Sequence, residues 1–173
     1  MNTVEVLIET PRLGFVKRRA DGAIEFVSPL PCPFNYGSVP GTTSEDGDPV
    51  DAVVLGPRQP VGARIRAPVV AVVDFVDGGL QDIKLVVSSR GLSNTDVRRL
   101  TLFFWVYAKL KSPWNRWRRK GQTSFRGLRI ATPSMSERMA TALQGNRQPY
   151  PMILENAPAM DVHTSHRDHG ISR

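Results

Sequence analysis

Four short segments rich in Val and Ile stand in the middle of the chain, and they restrict the fold more than any other feature. Gly, Pro or Asp residues separate them, and they span residues 50–55, 62–67, 69–76 and 83–87. β-Branched residues favour strands, and breakers at short intervals keep the strands short. This spacing is typical of an antiparallel sheet that closes into a barrel.

Two more strands are predicted near the N-terminus. Residues 4–9 (VEVLIE) alternate between apolar and polar side chains, and residues 23–27 (AIEFV) follow the turn Ala20-Asp21-Gly22. Residues 28–49 are rich in Pro and Gly, so this stretch cannot be regular structure throughout.

A long helix is predicted over residues 95–111. Ser93, Asn94 or Thr95 can cap its N-terminus, and Pro113 is expected to end it after Ser112. Helical spacing of its apolar residues predicts a face that packs on the barrel, formed by Val97, Leu100, Phe103, Phe104, Tyr107 and Leu110.

A short second helix is predicted over residues 135–143, with Ser134 and Glu137 as a capping box and Gly145 at its end. The residues beyond it show little periodicity and are expected to be extended or disordered. The predicted organisation is therefore a barrel domain over residues 1–130 and a C-terminal part over residues 131–173.

Composition places the chain among globular proteins. It has 173 residues, of which 40% are hydrophobic, and its single cysteine, Cys32, excludes an intrachain disulfide. The longest apolar runs, such as 69–73, are too short to span a bilayer. The first residues carry no basic-then-apolar leader, so we expect a cytoplasmic protein that does not bind membranes.

The charge of the chain is divided unevenly. The net charge is +7, yet residues 45–82 carry seven acidic and three basic residues, whereas residues 109–129 carry eight basic residues and no acidic one. Such a division suits a site that holds cations on one side and a polyanion on the other. It also fits a nucleic-acid-binding protein, so that alternative stays open.

The acidic segment 44–51 carries three carboxylates, Asp46, Asp48 and Asp51, just before an apolar run. Carboxylates this close repel one another unless cations or protons intervene, and Mg²⁺ is a natural counterion for oxygen ligands. A calcium-binding EF-hand loop is excluded by the spacing and by Pro49 and Pro57. An ordinary surface turn is the competing interpretation.

A second acidic segment has Asp77 and Asp82 on either side of a Gly-Gly turn between two predicted strands. The turn should bring both aspartates to one end of the hairpin. Lys84 follows Asp82 by two residues, so both side chains should lie on one face of a strand. A surface turn explains this segment equally well by itself, but two acidic turns and a lysine in one barrel favour a metal site.

Taken together, these motifs resemble those of the soluble family I inorganic pyrophosphatases. The aspartate run D-G-D-P-V-D at 46–51 matches the core of that family's signature. The resemblance extends in the family's order over residues 4 to about 111, through IETP (8–11), PFNYG (33–37), the Asp77, Asp82 and Lys84 motif, and FFWVY (103–107). It implies an α+β fold that is mainly β, with a small five-stranded closed barrel (OB-like), one long helix and one short C-terminal helix.

The resemblance implies Mg²⁺-dependent hydrolysis of pyrophosphate to two phosphates by a cytoplasmic homo-oligomer. It implies that Asp48 orients or deprotonates the attacking water. It implies that metal ions are held by Asp46, Asp51, Asp77 and Asp82, supported by Glu9. It assigns the phosphate oxygens to Lys17, Tyr36, Lys84 and Tyr107.

The chain departs from the family at the positions that would hold substrate. Arg19 stands where the family has a glutamate, and Cys32 where it has a tyrosine. Ala108 replaces a lysine, and Ser28-Pro29 stands where a phosphate-binding arginine is expected. A hydrolase of another phosphoanhydride on the same metal site is therefore an alternative function.

The segment Trp114-Asn115-Arg116-Trp117-Arg118-Arg119-Lys120 interleaves aromatic and basic residues. Such a pattern can stack bases and bind phosphates. A basic surface loop near an anionic substrate is the favoured interpretation. The other is a catalytically weakened paralogue whose loop binds nucleic acid or a partner.

Overall fold

A computed structural model of the chain describes residues 3–18, 22–28, 30–45, 47–117 and 121–144. These residues form ten strands and two helices. The first five strands are β1 (Val4–Thr10), β2 (Val16–Arg18), β3 (Ile24–Val27), β4 (Asn35–Ser38) and β5 (Asp51–Val54). They are followed by β6 (Arg64–Ala67), β7 (Val69–Asp77), β8 (Leu80–Gln81), β9 (Lys84–Val87), α1 (Asn94–Trp117), β10 (Ser124–Ile130) and α2 (Pro133–Gln144).

Most strands belong to one sheet with the order β10-β7-β9-β5-β4-β1-β6, and β8 pairs with β7. Strands β2 and β3 form a separate two-stranded sheet. The predicted α+β class is confirmed, but the sheet has more strands than the five of the expected closed barrel. Its pairing order within the described residues runs open from β10 to β6, and the β5–β9 pair is parallel rather than antiparallel.

The two faces of the sheet carry different cores. Side chains alternate along β7, so Val72 joins one cluster while Val73 and Phe75 join the other. The first cluster contains Met139 of α2, and the second contains Phe104 of α1. The helices therefore cover opposite faces, and the fully buried Phe104 alone contributes about 3 kcal/mol of burial free energy.

Strands β2, β4, β8 and β10 were not predicted. Strand β4 lies inside the Pro- and Gly-rich stretch 28–49, yet it pairs with both β1 and β5. Gly37 makes this possible, because a Cβ there would stand 1.8 Å from the carbonyl oxygen of Leu7. Close approach of two backbones, rather than strand propensity, explains β4.

Helix α1 begins where the sequence predicts but ends later. The Ser93 hydroxyl accepts the amide of Asp96, and the Asp96 carboxylate accepts the amide of Ser93, which makes a reciprocal cap. The prediction that Pro113 ends the helix is wrong, because α1 continues to Trp117. Pro113 cannot donate a backbone hydrogen bond, but Lys111 and Asn115 tie this end of α1 to Asp77 of β7.

Helix α2 confirms the second predicted helix but begins two residues earlier, at Pro133. Its cap is Thr132 rather than Ser134, because the Thr132 side chain accepts the amide of Met135. The predicted end at Gly145 and the C-terminal tail lie outside the described residues. In the described ranges, no helix combines the length and apolar character needed to cross a membrane.

Candidate active site

The starts of two neighbouring strands bring an aspartate and a lysine side by side. Asp51 opens β5, Lys84 opens β9, and the parallel register places the two residues opposite each other. On its other side Asp51 lies opposite Ser38 of β4. The sequence motif around Asp51 and the motif around Lys84 therefore meet at one end of the sheet.

The two acidic turns also meet at this end. Gly78 and Gly79 form the two-residue turn between β7 and β8, both with positive φ (60° and 88°), as a type I′ hairpin requires. The Glu45 carboxylate accepts the backbone amide of Gln81 at 3.0 Å, which joins the first acidic segment to this hairpin. The Ser44 amide donates to the Asp48 carbonyl, which closes the loop that carries Asp48.

Asp51 accepts hydrogen bonds from three side chains of this region. Its Oδ2 accepts the Tyr36 hydroxyl at 2.6 Å and the Lys84 ammonium at 2.9 Å, while Oδ1 accepts Lys17 Nζ at 3.3 Å. Burial opposes ionisation of Asp51, but the two lysines and the tyrosine outweigh it and lower its pKa to about 2. Asp51 is therefore a carboxylate at neutral pH.

Lys84 is buried and bridges two carboxylates. Its Nζ donates to Asp51 at 2.9 Å and to Asp82 Oδ1 at 2.8 Å. Burial disfavours the charged ammonium, but the two aspartates more than compensate and raise the Lys84 pKa. The pKa of Asp82 is raised by burial and by the negative charges of Asp51 and Asp77, against the lowering effect of Lys84.

Asp77 is bonded to the C-terminal half of α1. Lys111 Nζ donates to its Oδ2 at 2.6 Å, and Asn115 Nδ2 and Thr123 Oγ1 donate to its Oδ1 at 2.7 and 3.0 Å. Burial raises the pKa of Asp77, but these donors outweigh it and leave the pKa below its usual value. Asp77 therefore connects β7, α1 and the segment before β10.

Glu9 lies at a bulge in β1, where the register with β4 shifts between Ile8 and Thr10. The Ser38 hydroxyl donates to Glu9 Oε1, and Lys17 Nζ lies 3.7 Å from Oε2. Lys17 thus stands between Glu9 and Asp51. Glu9 is buried beside the aspartates, not exposed at the end of its strand.

These groups surround one cavity of about 320 Å³. Among the residues that line it are eight of the sequence-predicted site residues: Lys17, Tyr36, Asp48, Asp51, Asp77, Asp82, Lys84 and Tyr107. Glu9 stands behind the wall, and Asp46 lies outside the described residues. Within the described residues, no three carboxylates come close enough to hold one ion together.

The altered positions differ in their relation to the cavity. Cys32 is part of the wall, and burial raises the pKa of its thiol to about 11, so it is not a nucleophile at neutral pH. Ser28 also lines the cavity, whereas Ala108 is buried in the core between α1 and the sheet. Arg19, Pro29 and residues 118–120 lie outside the described residues.

The sequence reasoning missed one charged residue of the wall, Lys111. It lies one helical turn after Tyr107, and both side chains line the cavity. Helical spacing from Tyr107 was the signal that could have found it. The neighbouring Lys109 is exposed and is not among the lining residues; its Nζ lies 5.7 Å from the centre of the Trp105 ring.

Comparison with known proteins gives a consistent result. The family model described as inorganic pyrophosphatase matches residues 6–125. The inorganic pyrophosphatase of Aeropyrum pernix is 42% identical over 94 residues, which cover 49% of this chain and 53% of that protein. That of Gluconobacter oxydans is 38% identical over 93 residues, covering 49% and 54%. The matched region thus spans about half the length of these relatives.

Solved structures extend the similarity beyond the matched sequence. An inorganic pyrophosphatase from Helicobacter pylori superposes with a TM-score of 0.64 at 25% identity, covering 83% of this chain and 95% of that one. One from Thermus thermophilus gives 0.63 at 25% identity, covering 83% and 92%. The family match covers more than half of the chain and includes both acidic turns, so the chain belongs to the inorganic pyrophosphatase family.

Proposed function

We propose that this protein hydrolyses inorganic pyrophosphate to two phosphates with a divalent cation, and that the cation is Mg²⁺. One observation carries the proposal: four aspartates and three lysines from separate parts of the sequence line a single cavity. Phosphoryl transfer depends mainly on positioning and on neutralising charge. The aspartates of this wall can bind cations, and its lysines can bind a polyanion.

The donor set fits Mg²⁺ in its chemistry. Every candidate ligand is a carboxylate, and hard cations such as Mg²⁺ prefer oxygen. We assign the ions to Asp46, Asp51, Asp77 and Asp82, with Glu9 in support. When bound, such ions would neutralise phosphate charge and lower the pKa of a bound water towards neutrality.

Asp48 is assigned to the attacking water. Its carboxylate is exposed at the cavity wall, on the loop that the Ser44 hydrogen bonds close. A carboxylate in that position can accept a proton from water and orient the oxygen. The neighbouring Asp51 is held by two lysines and a tyrosine, so it suits the role of a metal ligand better than that of a proton acceptor.

Four side chains are assigned to bind the phosphate oxygens: Lys17, Lys84, Tyr36 and Tyr107. Ammonium groups neutralise charge, and phenol hydroxyls donate hydrogen bonds to oxyanions. The Nζ atoms of Lys17 and Lys84 each lie 5.9 Å from the centre of the Tyr36 ring, so these three donors lie close together on the wall. Tyr107 stacks on Phe103 of α1, which holds its ring in place.

Phosphate release from a panel of substrates tests the proposal. Pyrophosphate, nucleoside triphosphates and polyphosphate are each supplied with and without Mg²⁺. We expect release from pyrophosphate only with the divalent ion, and inhibition by excess Ca²⁺. Preferential release from a nucleoside triphosphate or polyphosphate would instead support another phosphoanhydride as substrate. Homo-oligomerisation, cytoplasmic location and a domain boundary near residue 130 stay predictions.

A further inference from the structure

A third lysine of the cavity has no role in the assignments above. Lys111 stands on α1 one turn after Tyr107, with its Nζ 5.5 Å from the centre of the Tyr107 ring. Its side chain is about one quarter exposed, so it is neither deeply buried nor a freely solvated surface lysine (23%). The ammonium therefore stands at the cavity wall, beside a residue assigned to phosphate.

Neither of the two residues that follow Tyr107 on α1 brings a cation to the cavity. Ala108 stands where a lysine is expected, and its side chain is buried in the core. Lys109 is on the exposed side of α1, against Trp105. Lys111, by contrast, is a charged side chain of α1 that lines the cavity.

We propose that Lys111 binds a phosphate group of the substrate and takes the place of the lysine lost at position 108. This inference rests on the proposed function, because it names a further substrate-positioning residue of the same site. An ammonium has three N–H donors. Lys111 can therefore keep its bond to Asp77 and still donate to a phosphate oxygen.

The ion pair with Asp77 holds the Lys111 ammonium at the cavity wall, where it can bind phosphate. The 2.6 Å ion pair directs the Lys111 side chain towards β7, while Asn115 and Thr123 hold the aspartate itself. Lys111 is thus a positioned, charged group before substrate arrives.

A purely structural role is the competing explanation, in which the ion pair only ties α1 to β7. The two roles separate in binding measurements. A structural tie that is lost lowers the melting temperature and the amount of folded protein. A lost phosphate contact raises KM and the dissociation constant of an analogue, while kcat changes less.

The test compares wild type with Lys111→Gln, Lys111→Arg and, as a matched control, Lys109→Gln. KM and kcat are measured with pyrophosphate, and calorimetry measures binding of the analogue imidodiphosphate with Mg²⁺. We expect Lys111→Gln to raise KM and the dissociation constant about tenfold, as the loss of one charged hydrogen bond does. Lys111→Arg should recover most of the loss, and Lys109→Gln should behave as wild type.

Analogue binding by Lys111→Gln that equals wild type would overturn the inference. If that variant does not fold, the same comparison is made between wild type and Lys111→Met, which removes the ammonium and leaves the Asn115 and Thr123 bonds to Asp77 in place. Binding by Lys111→Met that equals wild type would overturn it as well. If wild type neither hydrolyses pyrophosphate nor binds the analogue, the proposed function itself fails.

Discussion

Replacing Lys84 by Met should destabilise the fold strongly, because Lys84 is buried between two carboxylates. Removing one partner of a buried ion pair costs about 3–5 kcal/mol. Asp51 keeps the Tyr36 hydroxyl and Lys17, so most of the loss falls on Asp82. We therefore expect the lower end, a loss of about 3 kcal/mol in the free energy of unfolding near neutral pH.

The loss should depend on pH in a defined direction. Burial and the Asp51 charge already raise the pKa of Asp82, and without Lys84 the pKa rises further. A folded-state pKa above the unfolded value stabilises the protonated folded form, so the deficit shrinks as pH falls through that pKa. The deficit should accordingly be larger at about pH 8 than at about pH 5.

Urea unfolding of wild type, Lys84→Met and the control Lys109→Met at both pH values measures these quantities. Lys109 is exposed, so its variant should unfold as wild type does. The reasoning is refuted if Lys84→Met is as stable as wild type. It is also refuted if the deficit grows as pH falls, because the unpaired carboxylate would then not be its cause.

Asp48→Asn should lower kcat strongly while calorimetry still detects Mg²⁺ binding, whereas Asp51→Asn should lower both kcat and Mg²⁺ affinity. Equal loss of Mg²⁺ affinity in the two variants would contradict the assignment of Asp48 to water and Asp51 to metal. Ser93→Ala should cost about 1 kcal/mol of unfolding free energy, as the loss of an N-cap does. Burial opposes ionisation of Asp96, but hydrogen bonds from Arg90 and Ser93 lower its pKa to about 2. The stability that this carboxylate contributes should therefore be lost only as pH falls towards that value. Cys32 should react with iodoacetamide slowly in the folded protein and quickly after denaturation, because burial keeps its thiol protonated up to about pH 11; equal rates would refute that burial.

The local sequence predicted the strands whose side chains alternate or are β-branched, and failed where tertiary contacts decide. Strand β4 is flanked by prolines, yet Asn35 fixes its start with side-chain bonds to Arg12, Gln59 and Pro57. These partners are distant in sequence, so no local pattern shows them. The helix through Pro113 has the same explanation, because its end is tied to β7.

The sequence predicted those parts of the site that follow from where the strands begin and turn. Asp51 and Lys84 begin strands that pair, and Asp77 stands at the Gly-Gly turn, so their motifs indicated one end of the sheet. Lys111 was missed because it stands outside the quoted motifs, although one helical turn separates it from Tyr107. The ion pairs between lysines and aspartates depend on side-chain packing that the sequence does not show.

The most direct test of the account follows pyrophosphate by ³¹P NMR in the presence of wild-type protein or Asp51→Asn, each with Mg²⁺ and each with EDTA. The account predicts that the pyrophosphate signal converts to inorganic phosphate only with wild type and Mg²⁺. Conversion by Asp51→Asn at the wild-type rate would show that the cavity is not the site of the reaction. No conversion by folded wild type at any Mg²⁺ concentration would contradict the proposed hydrolysis itself.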